Sequence, residues 1–229
     1  MIDTTVFEDP ARFDAAFETM PPSRQEKILK YRYPKDRWLS LGAGVLLEEA
    51  IKDAGLTEDA KAPRPKILEG PKGKPYLEGV EDRFQFSLSH SEYLACCVYA
   101  SDPAGHAMSV GCDVEKIKTA NFDIAERYFS PEENAFLKTL TGEEKNTAFY
   151  RIWTLKESIL KADGRGLNIP LNSFTIRFSA DGKAATDFGS TDVKNGAADA
   201  KNIEKTRKVS LYEEEIPGYR IAWCTIEAL

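Results

Sequence analysis

Two long stretches with apolar residues at helical spacing do most to limit the folds open to this chain. The first covers 36–54, with Leu39, Ala43, Leu46 and Ala50 on one stripe, and it ends at Gly55. The second covers 143–162 and ends at Gly164. A shorter helix is expected over 21–31. A chain of this length can bury a substantial core, as one large domain or two small ones.

Strand patterns accompany both helices. The segment 84–88 alternates apolar and polar residues, and 94–99 is continuously apolar, as in a strand covered on both faces. Asp102, Pro103 and Gly105 then interrupt the chain, so we expect an N-terminal half over 1–104 and a C-terminal half over 105–229. Further strands are expected at 108–114, 174–178, 209–212 and 219–225. We interpret most of 181–208 as a mobile surface loop.

Composition and charge argue against several classes of protein. The formal net charge is −6, whereas nucleic-acid-binding proteins usually have a basic excess. The N-terminus lacks a secretory signal, and no apolar run is long enough to cross a bilayer. The four cysteines lack the spacing of a zinc site and are expected to be buried free thiols in a reducing cytosol. We expect a cytoplasmic, monomeric protein that contacts neither nucleic acid nor a membrane.

A pair of carboxylates in the segment 111–116, GCDVEK, is the first candidate for chemistry. Asp113 and Glu115 are two residues apart on a predicted strand, so their side chains lie on the same side. Two such carboxylates repel each other unless a cation lies between them. Hard oxygen ligands of this kind suit magnesium. A solvated acidic face explains the same pattern equally simply.

The second long helix is able to add a third carboxylate. Trp153, Glu157 and Lys161 are four residues apart and share one helical face. Lys156 and Lys161 are cations that can neutralise phosphate oxygens. An ordinary exposed Glu157–Lys161 pair is the alternative explanation.

Together, the order and spacing of several segments resemble the 4'-phosphopantetheinyl transferases of the surfactin-synthetase-activating (Sfp-type) subgroup. That family has the pattern G-x-D-x-E, followed further along the chain by W-x-x-K-E-S-x-x-K. The matching segments are SLSHS (87–91), GCDVEK (111–116), WTLKES (153–158) with Lys161, GRGL (164–167), GKPY (73–76), RYFSPEE (127–133) and SRQEKILKYRYPKDR (23–37). The resemblance covers nearly the whole chain from Pro21 onward.

The resemblance implies an α+β fold of two similar α/β halves. Each half would contain a small antiparallel sheet and a long helix, and an approximate two-fold axis would relate the halves. Coenzyme A would lie in the cleft between them. Asp113, Glu115 and Glu157 would hold a magnesium ion that also binds the pyrophosphate of coenzyme A, with Lys156 and Lys161 facing the phosphates.

The nucleotide end of coenzyme A is implied to contact residues of the N-terminal half. The resemblance places Lys74, Pro75, Ser89 and His90 there, with His90 near the 3'-phosphate, and adds Arg24 and Lys27 as cations for that phosphate. The family pattern D-R-x-R-S-L reads DRWLSL here, so Leu39 replaces the second arginine. We expect Arg37 to compensate. Glu133 matches an acidic position near the site, although a role in capping a helix explains it equally well.

The implied activity is magnesium-dependent transfer of 4'-phosphopantetheine from coenzyme A to a serine of an apo acyl or peptidyl carrier protein. The serine hydroxyl attacks the β-phosphorus, and 3',5'-ADP leaves. Asp113, Glu157 and Lys161 are the candidate catalytic residues, with Glu157 accepting the serine proton directly or through water. Two alternatives are a magnesium-dependent nucleotide pyrophosphate hydrolase and a non-catalytic module that binds coenzyme A or a carrier.

Overall fold

The first half of the chain forms a helical layer on a three-stranded sheet. The computed structural model describes residues 1–57, 65–165, 169–187 and 207–228, with the backbone alone at 207 and 228. Three helices come early, and the third is the long helix expected from the sequence. They are α1 (Pro10–Glu18), α2 (Pro22–Lys30) and α3 (Pro34–Asp53).

The first sheet is antiparallel and has the order β1-β5-β4. Its strands are β1 (Ile2–Asp3), β4 (Phe84–Ser91) and β5 (Leu94–Ser101), and a separate hairpin is formed by β2 (Ile67–Glu69) and β3 (Pro75–Leu77). Helix α3 packs on this sheet through an apolar cluster of Leu47, Ala50, Ile51, Leu77, Phe84 and Phe86. Burial of this cluster fixes the helix against the strands.

The second half repeats the arrangement of one long helix on three antiparallel strands. The sheet order is β6-β10-β9, with β6 (Ser109–Lys116), β9 (Arg207–Ile216) and β10 (Tyr219–Ala228). Helices α4 (Phe122–Tyr128), α5 (Pro131–Lys138) and α6 (Gly142–Asp163) lie between β6 and the remaining strands in sequence. The core of this half packs Ile152, Leu155 and Ile159 of α6 with Ala222 and Cys224 of β10.

The predicted fold class is therefore confirmed: an α+β chain with small antiparallel sheets and one long helix in each half. The chain passes from the first sheet to the second between Ser101 and Ser109. A division at 104/105 and an approximate two-fold axis stay predictions. Strands β4 and β5 both contact β6, and Leu94 and Cys96 pack against Cys112 and Val114 at this seam.

Parts of the stretch 181–208 are strands, and the interpretation of most of it as a loop stays a prediction. Ala184–Asp187 form strand β8, which pairs with β7 (Thr175–Phe178), and β9 already begins at Arg207. Strand β8 has little apolar pattern of its own, so its pairing with β7 was not expected from the sequence. Residues 188–206 lie outside the described part of the chain. The four cysteines are free, and Cys96, Cys112 and Cys224 are buried as expected.

Candidate active site

Strand β6 places the first two carboxylates at the seam between the halves. Gly111 allows the strand to approach helix α6 closely, because a Cβ atom there would lie 2.1 Å from Ser158 O and 2.2 Å from Ala162 N. Asp113 is only 5% exposed, so it does not belong to a solvated acidic face. A buried carboxylate requires compensating partners.

Three serines of β4 reach across to the backbone of β6. Ser87, Ser89 and Ser91 alternate along the strand, so their side chains lie on one face. Their Oγ atoms accept hydrogen bonds from the N–H groups of Cys112 at 3.0 Å, Val114 at 3.4 Å and Lys116 at 3.1 Å. Side chains therefore join the two sheets where no backbone ladder does.

Two of these serines also donate to the carboxylates. Ser89 Oγ donates to Asp113 Oδ1 at 2.8 Å, and Ser91 Oγ donates to Glu115 Oε2 at 2.9 Å. Sequence reasoning named Ser89 but missed Ser87 and Ser91 as contacts of this site. The signal was present in the alternating serines of SLSHS, but nothing in the sequence alone placed β4 beside β6.

Helix α6 contributes Lys161 and Glu157 to the same region. Lys161 Nζ donates to Asp113 Oδ1 at 2.7 Å and to Ser89 Oγ at 3.0 Å. Burial alone would lower the pKa of Lys161, but the Asp113 carboxylate outweighs this and the net pKa is raised. The expected exposed Glu157–Lys161 pair is thus replaced by a partly buried Lys161–Asp113 pair.

Glu157 and Glu115 are carboxylates in an unfavourable environment. Burial raises the pKa of Glu157, and the charges of Asp113 and Glu115 raise it further. Burial also raises the pKa of Glu115, with Asp113 adding to the effect. No hydrogen bond from the described residues reaches the Glu157 carboxylate. Ionisation here is opposed first by burial and then by neighbouring negative charge.

Asp113 has one oxygen that its surroundings do not satisfy. Oδ1 accepts hydrogen bonds from Ser89 and Lys161, whereas the buried Oδ2 has no hydrogen-bond partner among the described residues. Such an atom fits a ligand position for a hard cation. In the described ranges, however, no three histidine, cysteine, aspartate or glutamate side chains are arranged so that they could hold a metal ion. The geometry brings the carboxylates near one another without closing them into a metal cage.

Lys156 is a correction to the sequence prediction. Its side chain is fully buried, and Nζ lies 2.9 Å from Glu133 Oε1 and donates to Leu171 O at 2.8 Å and Phe174 O at 2.6 Å. Burial lowers its pKa to about 8, although Glu133 acts in the opposite direction. Lys156 therefore supports the protein interior and does not face the phosphates. Neighbouring residues on a helix diverge by about 100°, so Lys156 and Glu157 point to different sides.

Glu133 is likewise held in the interior. Its Oε2 accepts the N–H of Ser130 at 2.8 Å, and the Ser130 side chain accepts the N–H of Glu133 at 3.2 Å, which completes a capping box for α5. Glu133 Oε1 also accepts the N–H of Ile176 at 2.7 Å. The capping explanation of Glu133 is the one that these contacts support.

A cleft runs from Lys161, the partner of Asp113, towards α2. One cavity, of about 250 Å³, is lined by Lys72, Pro75, Phe86, Leu160 and Lys161, among others. A neighbouring cavity of about 400 Å³ shares Gly73, Pro75, Phe86 and Leu88 with it, and adds Arg24 and Lys27. The cleft therefore has cations at both ends, as a ligand with two separated phosphate groups requires.

His90 lies near this cleft at the end of β4. Its surface is exposed, yet partial loss of hydration lowers its pKa, and the charge of Lys161 lowers it further. The charges of Asp36 and Lys27 also act on the ring. His90 is therefore neutral at physiological pH, since its ordinary pKa is already 6.5.

Two of the expected nucleotide contacts use their side chains elsewhere. Lys74 Nζ donates to Ser109 Oγ at 2.6 Å and to Ala162 O at 2.9 Å, near the C-terminus of α6. Arg37 Nε donates to Tyr31 O at 2.8 Å, just past the end of α2. Arg37 does not line the cavity that contains Arg24 and Lys27. In the loop 164–167, Arg165 pairs with Asp163, and 166–167 lie outside the described residues.

Known proteins match this chain over much of its length. Residues 109–224 match the 4'-phosphopantetheinyl transferase superfamily. The 4'-phosphopantetheinyl transferase Sfp of Bacillus subtilis (strain 168) is 28% identical over 203 residues, covering 89% of this chain and 80% of that protein. The transferase ffp of Bacillus subtilis is 29% identical over 211 residues, covering 92% of this chain and 84% of that protein.

A solved structure resembles about half of the chain. It is a holo-(acyl-carrier-protein) synthase from Bacillus anthracis str. Ames, with 18% identity and a TM-score of 0.44, and it covers 54% of this chain and 100% of that chain. The superfamily match spans half of the present chain, from β6 into β10, and includes Asp113, Glu115 and Glu157. The chain therefore belongs to the 4'-phosphopantetheinyl transferase superfamily and, within it, to the Sfp-type transferases.

Proposed function

We propose that this chain transfers the 4'-phosphopantetheine group of coenzyme A to a serine of an apo acyl or peptidyl carrier protein, in the cleft beside Asp113. The observation that carries the proposal is the buried Asp113. One of its oxygens is held by Ser89 and Lys161, and the other lacks a partner among the described residues. Family membership supplies the class of reaction.

Asp113, Glu115 and Glu157 would hold a divalent cation, for which we propose Mg²⁺, once their side chains have drawn together around it from the more open arrangement in the structure. The unsatisfied Oδ2 of Asp113 and the raised pKa values of Glu115 and Glu157 support this assignment. A cation would relieve the repulsion among the three carboxylates, and a substrate diphosphate would complete its coordination. When bound, the ion offsets negative charge on the transferring phosphoryl group.

The residues of the chain bind and orient the substrates. Among the described contacts, Lys161 donates two of its three N–H groups, to Asp113 and to Ser89. The third N–H group would bind a phosphate oxygen. We propose that Arg24 and Lys27 bind the 3'-phosphate, with Pro75, Ser89 and His90 along the nucleotide. Lys74 and Arg37 would contribute through atoms other than those already bonded to protein carbonyls.

The transfer forms one bond to the β-phosphorus of coenzyme A and breaks another. The carrier serine Oγ forms a bond to the β-phosphorus, and the bond from that phosphorus to the bridging oxygen of 3',5'-ADP breaks. Glu157 accepts the serine proton, directly or through a water molecule. A carboxylate that binds a cation is a poor base on its own, which favours the route through water. Lys161 stabilises the negative charge that develops on the phosphoryl oxygens.

The proposal also covers the carrier, the assembly state and the cell compartment. We propose a monomeric cytoplasmic enzyme that acts on a carrier of fatty-acid, polyketide or nonribosomal-peptide synthesis. In the described residues, no helix is both long and apolar enough to span a membrane.

Mass spectrometry of apo carriers tests the reaction. Several apo carriers incubated with the protein, coenzyme A and Mg²⁺ should each be compared with a sample containing EDTA. We expect one phosphopantetheine to be added, only when Mg²⁺ is present. Release of nucleotide products without a modified carrier would instead support a pyrophosphate hydrolase.

A further inference from the structure

The hydroxyl of Ser91 has its proton direction fixed by the neighbouring strand. Its Oγ accepts the N–H of Lys116 at 3.1 Å and lies 2.9 Å from Glu115 Oε2. A backbone N–H cannot accept a hydrogen bond, so the single hydroxyl proton goes to the carboxylate. Among the described residues, no other hydrogen bond reaches the Glu115 carboxylate.

The same arrangement recurs two residues earlier along β4. Ser89 Oγ accepts from Val114 N and donates to Asp113 Oδ1. Each serine thus accepts from one residue of β6 and donates to the residue before it. Ser87 follows the rule on the accepting side, because it takes the N–H of Cys112, but the preceding residue is Gly111 and offers no carboxylate.

The strand end that carries Ser91 is itself anchored. Glu92 follows with φ of +53°, and its Oε2 lies 2.5 Å from Lys35 Nζ of α3. Thr4 donates its N–H and its hydroxyl to Tyr93 O at 2.7 and 2.8 Å. The hairpin that presents Ser91 is therefore held by two elements of the first half.

We propose that Ser91 is a positioning residue that holds the Glu115 carboxylate ready for the divalent cation. The proposal rests on the proposed metal site. Asp113 is also held by Lys161, whereas Glu115 depends on this single hydroxyl. Removing a group that orients a metal ligand typically lowers the affinity for the metal by about 10–100-fold. The first half of the chain would thereby set the geometry of a ligand in the second half.

The test measures Mn²⁺ binding by the electron paramagnetic resonance signal of the free ion, with coenzyme A present and no carrier. We expect Ser91→Ala to raise the Kd for Mn²⁺ about tenfold. Ser91→Thr keeps the hydroxyl and should restore the wild-type Kd. Ser87→Ala removes an equivalent bond to β6 without touching a carboxylate. Because Ser87 also lines the 250 Å³ cavity, the comparison is made with coenzyme A at saturation, where this variant should retain the wild-type Kd.

Three results would overturn the inference. The first is a wild-type Kd in Ser91→Ala, and the second is an equal loss in Ser87→Ala, which would indicate general loosening of the seam. If Ser91→Ala does not fold, Ser91→Cys replaces the hydroxyl by a weak donor of similar shape and carries the same expectation. The third is a wild-type Kd in Glu115→Gln, which would show that Glu115 is not a metal ligand and would contradict the proposed metal site. If the affinity for Mn²⁺ falls in Glu115→Gln but not in Ser91→Ala, the metal site stands and only the role of Ser91 is refuted.

Discussion

Asp113 shows how one residue can connect three elements. It lies on β6, receives Ser89 from β4 and Lys161 from α6, and is almost completely buried. A buried carboxylate with only half of its lone pairs used is costly in a protein that binds nothing there. The arrangement is understandable if binding a cation provides the missing contacts.

Glu157→Gln should abolish most of the activity while leaving the fold intact. The amide is nearly isosteric, but it can neither accept the serine proton nor supply a charged ligand. We expect turnover to fall at least about a hundredfold, measured by carrier modification under saturating coenzyme A. Glu144→Gln is a matched control, since Glu144 is exposed near the start of the same helix. Wild-type turnover in Glu157→Gln would remove this residue from the site.

Lys156→Met should lower stability rather than weaken coenzyme A binding. The variant leaves Glu133 charged and buried without its cation, and breaking such a pair typically costs about 3–5 kcal/mol. Urea denaturation measures the free energy of unfolding, and the Michaelis constant for coenzyme A is measured on folded protein. A raised Michaelis constant for coenzyme A with an unchanged free energy of unfolding would instead indicate that Lys156 contacts the phosphates.

At the scale of elements, the predictions for α6 and β6 were close to the structure, and their limits are instructive. The helix expected over 143–162 is Gly142–Asp163, and the strand expected over 108–114 is Ser109–Lys116. Helical spacing correctly grouped Glu157 with Lys161. It did not reveal that Lys156 faces the interior. A lysine is normally expected at the surface, and here it is buried because it forms an ion pair with Glu133.

The contacts between elements were the part that local pattern could not supply. Strand β1 has two residues and exists only through its pairing with β5, and β8 exists only through β7. The serine contacts from β4 to β6 also depend on the packing of one sheet beside the other. Residues that act across such a seam become visible only once the strands are placed.

Gly111→Ala should disrupt the packing of β6 on α6. The added methyl group would overlap backbone atoms of Ser158 and Ala162, which cannot move as a flexible side chain can. We expect a loss of at least about 3 kcal/mol in the free energy of unfolding, or failure to fold.

Gly182→Ala is the control for this substitution. Gly182 has φ of +80° with open space around a Cβ position, so an alanine there costs only backbone strain. That strain is worth about 1–2 kcal/mol. Equal losses in the two variants would contradict a specific close approach at Gly111.

At the scale of the whole molecule, the proposed ligands touch both halves, so binding should stabilise the entire chain. At a hundred times its Kd, a ligand adds about 2.7 kcal/mol, and for a protein of this size the melting temperature should rise by about 5–10 °C. Thermal unfolding with coenzyme A and Mg²⁺, compared with EDTA, measures the shift. Asp113→Asn should lose most of the Mg²⁺-dependent part, and an undiminished shift in that variant would contradict the metal assignment.

The central position of β10 has a consequence for the order in which the protein is made. This strand pairs with β6 on one side and β9 on the other, yet it is the last element along the described chain. A ribosome therefore releases the carboxylates of β6 long before their sheet partner has been synthesised, and a pairing so distant in sequence forms slowly. The sheet that carries Asp113 and Glu115 therefore lacks its central strand until β10 itself has left the ribosome.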